Sequence, residues 1–212
     1  MRVRLRDCPE LGYLSTDNPP RGEVQFKGTN QFKGYFKNPS RTQEAFSEDG
    51  WVNSGDVGII LPNGAIKITD RAKNIFKLSQ GEYIAPEKLE NIYSQIPKIA
   101  QIFVYGDSLK NCLVAVVVPD PVNLKAFAEE KGITEAEAIT GKLLKQAIIE
   151  EMDAKVKDYG LTSLEKIKAV HLSGEPFSVD NNLITPTFKI KRNIAKIVFK
   201  EAIDKMYAEN DQ

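Results

Sequence analysis

Residues suited to nucleotide chemistry concentrate in one stretch of the sequence, Asp49–Glu90. Asp56 lies there between glycines in a Ser-Gly-Asp-Val-Gly segment, which predicts a turn that presents one carboxylate on bare backbone. Pro62-Asn63-Gly64 predicts a hairpin turn, and the returning strand over residues 65–69 leads directly to Arg71. A carboxylate and a guanidinium at the ends of paired strands suit a ribose phosphate, but they also fit a surface salt bridge of little energetic value. The spacing alone leaves both interpretations open.

Two different patterns surround this stretch. Before it, alternating residues over 1–6 and 23–27 predict strands of an antiparallel sheet, and residues 41–46 predict a short helix capped by Ser40. After Asp70 the pattern becomes α+β. It predicts a helix from Pro86, strands over 99–105, 112–118 and 164–172, helices that begin at Pro121 and after a capping box at Thr134, and a last helix over 194–206. The apolar strand 112–118 should be buried on both faces, and Leu143 should face inward on its helix.

Composition excludes several function classes. The 212 residues carry 29 Lys and Arg against 29 Asp and Glu, so the chain has no electrostatic footprint for nucleic acid or for an anionic membrane surface. Cys8 and Cys112 lack metal-ligand spacing and are predicted to be free buried thiols in a reducing compartment, and the lone His171 indicates no metal site. The apolar run 113–118 is too short to cross a bilayer, and no signal-peptide pattern opens the sequence.

The chemical residues occur in an order and spacing that resemble the adenylate-forming enzymes, most closely the long-chain fatty acyl-CoA synthetases. The resemblance rests on Asp49-Gly50-Trp51, Gly55-Asp56, Asp70-Arg71, Lys77, Gly81-Glu82-Tyr83 and Pro86-Glu87. A second segment, residues 21–42, is similar to a motif that lies just upstream in the same family. The resemblance implies an α+β fold: residues 1–70 form a β-barrel-like end of the large AMP-binding domain, and residues 71–212 form the small mobile C-terminal domain, with a hinge at 71–74.

The resemblance also extends to the segment Leu183–Arg192 and assigns its catalytic lysine to Lys189. In the family this lysine enters the active site and stabilises the attack of a carboxylate on the α-phosphate of ATP. Many members have glycine just before the lysine, whereas this chain has Phe188, a departure that long-chain synthetases tolerate. Without the upstream motifs, Lys189 would be interpreted as part of a basic surface cluster.

The remaining site residues are implied by the same resemblance. Asp56 would bind the ribose hydroxyls of the nucleotide, and Arg71 would support that ribose. Lys73 matches the hinge at which the small domain changes orientation between the two half-reactions. Gly81 would let the CoA thiol pass close to the backbone, and Lys77 either assists this second half-reaction or is a solvated lysine.

The implied activity is the ATP-dependent ligation of a long-chain fatty acid to CoA. The Mg²⁺ that this reaction needs would be bound by the N-terminal part of the family's enzymes, which these residues do not match. No Ser/Thr/Gly-rich phosphate loop occurs in the 212 residues, so the chain alone is predicted to be inactive and to need the large N-terminal domain as partner. The alternatives are a synthetase for another carboxylic acid, or a non-catalytic remnant that binds nucleotide or CoA. The resemblance implies a cytoplasmic protein, with peripheral association at the cytosolic face of the endoplasmic reticulum or another organelle membrane as an option for the full-length protein.

Overall fold

A computed structural model describes residues 1–210 of the chain. The protein divides into two compact units, Met1–Phe76 and a second that begins at Lys77. The sequence analysis expected a domain boundary at residues 70 and 71, and that boundary, as the pivot of a moving domain, stays a prediction. Cys8 and Cys112 are both buried, and neither forms a disulfide within residues 1–210.

The first unit is built on one antiparallel sheet. Its strands are β1 (Arg2–Arg6), β2 (Arg21–Lys27), β3 (Val52–Ile60) and β4 (Ile66–Arg71), and they lie in the order β1-β2-β3-β4. The sheet is open, with β1 and β4 at its edges, so the expected barrel-like arrangement is not confirmed. Ile66 and Ile68 on edge strand β4 are exposed, which leaves apolar surface at that edge.

Asp56 lies inside strand β3, and the prediction of a turn at this position is wrong. Flanking glycines suggested a turn, but Asp56 pairs with Arg71 of β4 and Val57 pairs with both neighbouring strands. The glycines are accommodated by irregularities in both ladders, one in the β2–β3 pairing between Asn53 and Val57 and one in the β3–β4 pairing between Val57 and Gly58.

The helix predicted over 41–46 is α1 (Pro39–Glu44), and its cap is Asn38, which corrects the assignment of Ser40. The Asn38 side-chain oxygen accepts a hydrogen bond of 3.1 Å from the backbone N–H of Arg41. Pro39 lacks an N–H and is therefore suited to the first helical position, which places the cap one residue before it.

The second unit combines short and long elements. A small hairpin of β5 (Phe76–Lys77) and β6 (Tyr83–Ile84) leads into α2 (Pro86–Tyr93). The main sheet contains β7 (Ile99–Tyr105), β8 (Leu113–Pro119) and β9 (Ile167–Leu172), with β7 antiparallel and β9 parallel to the central β8. Helices α3 (Pro121–Lys131), α4 (Glu135–Thr140) and α5 (Leu143–Asp158) connect β8 to β9, and α6 (Arg192–Val198) and α7 (Lys200–Asn210) follow.

The core of the second unit centres on β8, which is buried along its whole length as predicted. Its alternate residues Val114, Val116 and Val118 share one apolar cluster with Ile203 and Met206 of α7. The predicted caps at Asp120 and Thr134 are confirmed, since each side chain accepts a backbone hydrogen bond from the first turn of its helix.

Two local predictions in this unit are wrong. The last helix is not continuous, because α6 ends at Phe199, whose ring packs 5.6 Å from Phe177 and 6.4 Å from His171 between ring centroids. Leu143 is exposed at the start of α5, while Leu144, Ile148 and Met152 form the buried face. In both places tertiary packing outweighs an apolar pattern that was compatible with more than one arrangement.

Candidate functional site

Asp56 and Arg71 lie close together, as expected for the ends of the two hairpin strands, and a register shift between Val57 and Gly58 makes them direct partners. Arg71 Nε is 2.9 Å from Asp56 Oδ1, and the two side chains keep 45% and 30% of their surface exposed. An ion pair with this exposure contributes at most about 1 kcal/mol to stability. The pair therefore presents a carboxylate and a guanidinium that remain accessible to a hydroxyl-bearing ligand.

The bend that precedes Asp56 is fixed from inside the unit. Gly55 has φ +73°, a conformation that favours glycine, and its N–H donates a 2.9 Å hydrogen bond to Glu23 Oε1. Glu23 is buried and forms an ion pair with Arg6. This buried carboxylate holds the backbone beneath the exposed one, and the sequence analysis did not identify it.

The predicted hinge segment follows directly after β4. Lys73 is exposed in a short 3-10 turn over Ala72–Asn74. The buried carboxylate of Asp70 accepts hydrogen bonds from the Arg71 N–H at 2.6 Å and from the Asn74 side chain at 3.3 Å. Asp70 thus fixes the start of the segment in which the proposed pivot lies, a role that residue type alone did not reveal.

Lys77 and Gly81 lie together in the β5–β6 hairpin. The Lys77 ammonium lies 5.1 Å from the centroid of the Tyr83 ring. Gly81 has φ +92°, and a Cβ at this position would lie 3.6 Å from the Lys77 side chain. The loop that joins the strands is anchored to the β7–β8 turn, where Ser79 N–H donates to Lys110 O at 3.1 Å and Gln80 Nε2 to Asn111 O at 3.0 Å.

Lys189 occupies a tight loop, which we call the lysine loop and define as residues 185–190. Thr185 N–H donates to Lys189 O at 2.8 Å, and Lys189 N–H donates back to Thr185 Oγ1 at 3.1 Å. Phe188 adopts φ +59° and is 80% exposed. Within residues 1–210 no carboxylate forms an ion pair with the exposed Lys189 ammonium, so this charge is available to a ligand.

A cavity of about 420 Å³ within the second unit borders the lysine loop. Its wall includes Glu87, Asn91 and Gln101 on one side and Phe188 and Lys189 on the other. The predicted site residues are divided between the two units. Lys77, Gly81 and Lys189 belong to the second unit, whereas Asp56 and Arg71 belong to the first.

One ion pair that supports the lysine loop escaped the sequence analysis. Arg192, the first residue of α6, pairs with Glu90 of α2 at 2.5 Å, and both side chains are largely buried. The two residues lie 102 positions apart in the sequence. No local pattern could have connected them, because their proximity depends on how α2 and α6 pack on β7.

Two kinds of site are absent from residues 1–210. No group of three or more His, Cys, Asp and Glu side chains there is arranged to hold a metal ion. No helix in the same range has both the length and the apolar character needed to cross a membrane.

Comparison with known families identifies the class of the chain. Residues 73–211 match the model of the AMP-binding enzyme C-terminal domain. The chain belongs to this family of AMP-binding, adenylate-forming enzymes.

Individual relatives narrow the class. The chain is 49% identical over 208 residues to long-chain-fatty-acid–CoA ligase 6 of Homo sapiens, a match of 97% of this chain and 30% of the relative. It is also 49% identical over 211 residues to the peroxisomal long chain acyl-CoA synthetase 6 of Arabidopsis thaliana, 98% of this chain and 30% of the relative. The chain thus spans about 30% of the length of the curated relatives that it matches.

Solved structures agree with the fold. The adenylation domain of a carboxylate reductase from Mycobacterium chelonae is 37% identical with a TM-score of 0.87, over 98% of this chain and 31% of that chain. The corresponding domain of a carboxylic acid reductase from Segniliparus rugosus, solved with AMP and a co-purified carboxylic acid, is 36% identical with a TM-score of 0.87, over 99% of this chain and 32% of that chain. These matches confirm the α+β fold that was expected from the sequence.

Proposed function

We propose that this chain forms the C-terminal part of a long-chain fatty acid–CoA ligase, an enzyme that converts a fatty acid, ATP and CoA into acyl-CoA, AMP and pyrophosphate. The observation that carries the proposal is the 49% identity to a ligase of this name over 97% of the chain. The exposed Lys189, which has no ion-pair partner among residues 1–210, and the accessible Asp56–Arg71 pair support it, since an ammonium suits the phosphates of a nucleotide and a carboxylate suits its ribose hydroxyls.

In the first half-reaction a carboxylate oxygen of the fatty acid attacks the α-phosphorus of ATP, and pyrophosphate leaves with the electron pair of the broken P–O bond. Two anions approach each other in this step, so a positive charge between them lowers the barrier. Lys189 is proposed to supply that charge. Asp56 accepts hydrogen bonds from the ribose hydroxyls, and Arg71 orients the carboxylate and the ribose.

In the second half-reaction the thiolate of CoA attacks the acyl carbonyl carbon of the adenylate, and AMP leaves. Gly81 is proposed to border the path of the thiol, because a residue without a side chain admits close approach to the backbone. Lys77 lies beside this path as a further charged contact. Lys73 is proposed as the pivot between the two orientations.

The rest of the proposal concerns the substrates, the metal ion and the large domain, none of which is part of residues 1–212. ATP and CoA are substrates, and Mg²⁺ is proposed to accompany the ATP phosphates on the large domain of the relatives. The same domain is proposed to cover the apolar edge of β4 and to complete the open sheet into the barrel-like subdomain. We further propose a cytoplasmic protein whose full-length form associates peripherally with the cytosolic face of the endoplasmic reticulum or another organelle membrane.

The experiment that tests the proposal joins this chain to the part of a relative that it does not match. A chimera is made in which residues 1–212 replace the corresponding C-terminal 30% of the human ligase. Palmitate-dependent ATP–pyrophosphate exchange is expected from the chimera and not from the isolated chain. Robust exchange by the isolated chain would contradict the assignment as a partial enzyme.

A folded chimera without exchange would favour the alternative of a non-catalytic nucleotide- or CoA-binding remnant. The other alternative, a synthetase for a different carboxylic acid, depends on an acyl pocket that lies outside these residues. Thermal unfolding of the chimera, monitored by circular dichroism, serves as the control for folding.

A further inference from the structure

We propose that Glu90 and Arg192 are positioning residues that hold the lysine loop for the adenylation step, and that the Gly81 loop is held independently of them. The inference rests on the proposed function for its catalytic consequence. Its structural basis lies entirely within the second unit.

The pair joins three elements at one point. Arg192 Nη2 lies 2.5 Å from Glu90 Oε2, and Arg192 Nη1 donates to the carbonyl of Val104 at 3.1 Å. The N–H of the same Val104 donates to Glu90 Oε1 at 2.8 Å. Both polar groups of one β7 residue are therefore bound by the two charged side chains, while the guanidinium lies 5.5 Å from the centroid of the Phe103 ring.

Because this junction is buried, it requires both a carboxylate at Glu90 and a guanidinium at Arg192. The side chains of Arg192 and Glu90 are 17% and 11% exposed, so removal of one partner leaves the other charged with little access to water. Lysine cannot replace arginine here, because its single ammonium does not present the two-pronged donor that reaches both Glu90 and Val104. The geometry of the junction is thus set by these two residue types.

The lysine loop depends on this junction for its orientation. Its internal hydrogen bonds join Thr185 to Phe188 and Lys189, so they close the loop on itself but do not attach it to α2 or β7. At its first end, Leu183 and Ile184 are buried in the apolar cluster. At its other end, Lys191 N–H donates to Leu183 O at 2.8 Å, and Arg192 then ties the chain to α2 and β7. Release of Arg192 would let the second end of the loop move.

The Gly81 loop has different anchors. Its hydrogen bonds run from Ser79 to Lys110 and from Gln80 to Asn111, in the turn between β7 and β8. These anchors are backbone carbonyls of that turn, whereas the Glu90 and Arg192 junction is built on the N–H and C=O of Val104 in β7. The two loops should therefore respond separately to a substitution at the junction.

Amide hydrogen exchange on the full 212-residue chain tests the structural claim. The variants are Arg192→Lys and Glu90→Gln, which keep size and most contacts. We expect the amides of Thr185, Phe188 and Lys191 to exchange about ten-fold faster, the order expected for loss of one hydrogen bond to a charged group. The Gly81 N–H, bound to Leu78 O at 2.9 Å, should keep its wild-type rate.

The matched control is Lys88→Gln. Lys88 lies on the same helix α2 and forms a part-buried ion pair with Glu165 at 2.5 Å, away from the lysine loop. If Lys88→Gln accelerates exchange in the lysine loop as much as Arg192→Lys does, the proposal is wrong, because the effect is then one of general stability. Equal acceleration at Gly81 and in the lysine loop would also overturn it.

The catalytic claim is tested by the two half-reactions in the chimera. For Arg192→Lys we expect palmitate-dependent ATP–pyrophosphate exchange to fall about ten-fold in rate, with transfer of a preformed acyl adenylate to CoA unchanged. Equal losses in both steps would overturn the selective role. A wild-type chimera without activity would instead contradict the proposed function, and the exchange experiment would still decide the positioning role.

Discussion

Replacement of Lys189 by alanine should separate catalysis from stability. The loop around Lys189 is held by its main-chain N–H and C=O, which bond to Thr185, and alanine keeps both groups. The lysine side chain is exposed and has no ion-pair partner in the described range 1–210. We therefore expect the free energy of unfolding of the chain to change by no more than about 0.5 kcal/mol, as for other isolated surface substitutions.

The effect on adenylation should be far larger. Loss of one preorganised donor at a site of developing negative charge costs about 2.7–4 kcal/mol, or roughly 10²- to 10³-fold in rate. The assay is palmitate-dependent ATP–pyrophosphate exchange by the Lys189→Ala chimera, next to urea denaturation of the Lys189→Ala chain. Lys191→Ala is the matched control, since Lys191 is two residues away and bonds through its ammonium to Asn182.

Three results would refute this reasoning. Exchange within three-fold of the wild type would show that Lys189 does not contact the reacting phosphate. A loss of stability of about 2 kcal/mol or more would show that the ammonium makes a structural contact, since isolated surface substitutions cost far less. An equal loss of exchange in Lys191→Ala would point to general positive charge and not to a placed donor.

Three further predictions follow from other parts of the structure. A hydrogen bond from the side chain of Arg4 and a smaller contribution from that of Ser47 lower the pKa of Asp49 to about 2. The stability that this carboxylate contributes is therefore present above pH 4 and is lost as the pH falls through 2. Asp49→Asn should therefore show a smaller drop in melting temperature between pH 4.5 and 2 than the wild type, and an equal drop would contradict the assignment. Gly81→Ala should slow transfer of the acyl group from the adenylate to CoA in the chimera, while pyrophosphate exchange persists. The reason is that φ +92° strains alanine by about 1–2 kcal/mol. Loss of both activities would speak against a role restricted to the second step. Leu113→Ala, at a fully buried position of β8, should lower the free energy of unfolding by about 2–5 kcal/mol in urea denaturation, and a change below 1 kcal/mol would mean that β8 is not the centre of the core.

Local patterns predicted much of the fold and one half of the candidate site. The hairpin signal at Pro62–Gly64 was enough to bring Asp56 near the end of the returning strand, but its pairing with Arg71 also depends on the irregularity between Val57 and Gly58, which shifts the register by one residue. The apolar run of β8 and the caps at Asp120 and Thr134 were also read correctly from short segments. In each case the information lies within a few residues of the feature.

What the patterns missed depends on contacts that are distant in the sequence. Pairing with Arg71 of β4 keeps Asp56 in a strand although its flanking glycines favour a turn. Phe199, whose ring packs against Phe177, separates α6 from α7 at a point where the apolar periodicity runs on without a break. The Glu90 and Arg192 junction brings together three elements. In the sequence these two residues look like any other charged residues, and only their burial against each other shows that they form a structural ion pair.

The positive φ of Phe188 has a consequence for how the lysine is delivered. A φ of +59° costs a bulky residue about 1–2 kcal/mol, and a glycine at the same place would adopt it without strain. Glycine would also leave the loop free to sample many other conformations. Phe188 narrows that range in the folded protein. The conformational entropy of presenting Lys189 is then lost once, when the domain folds, and not each time the proposed site binds a ligand.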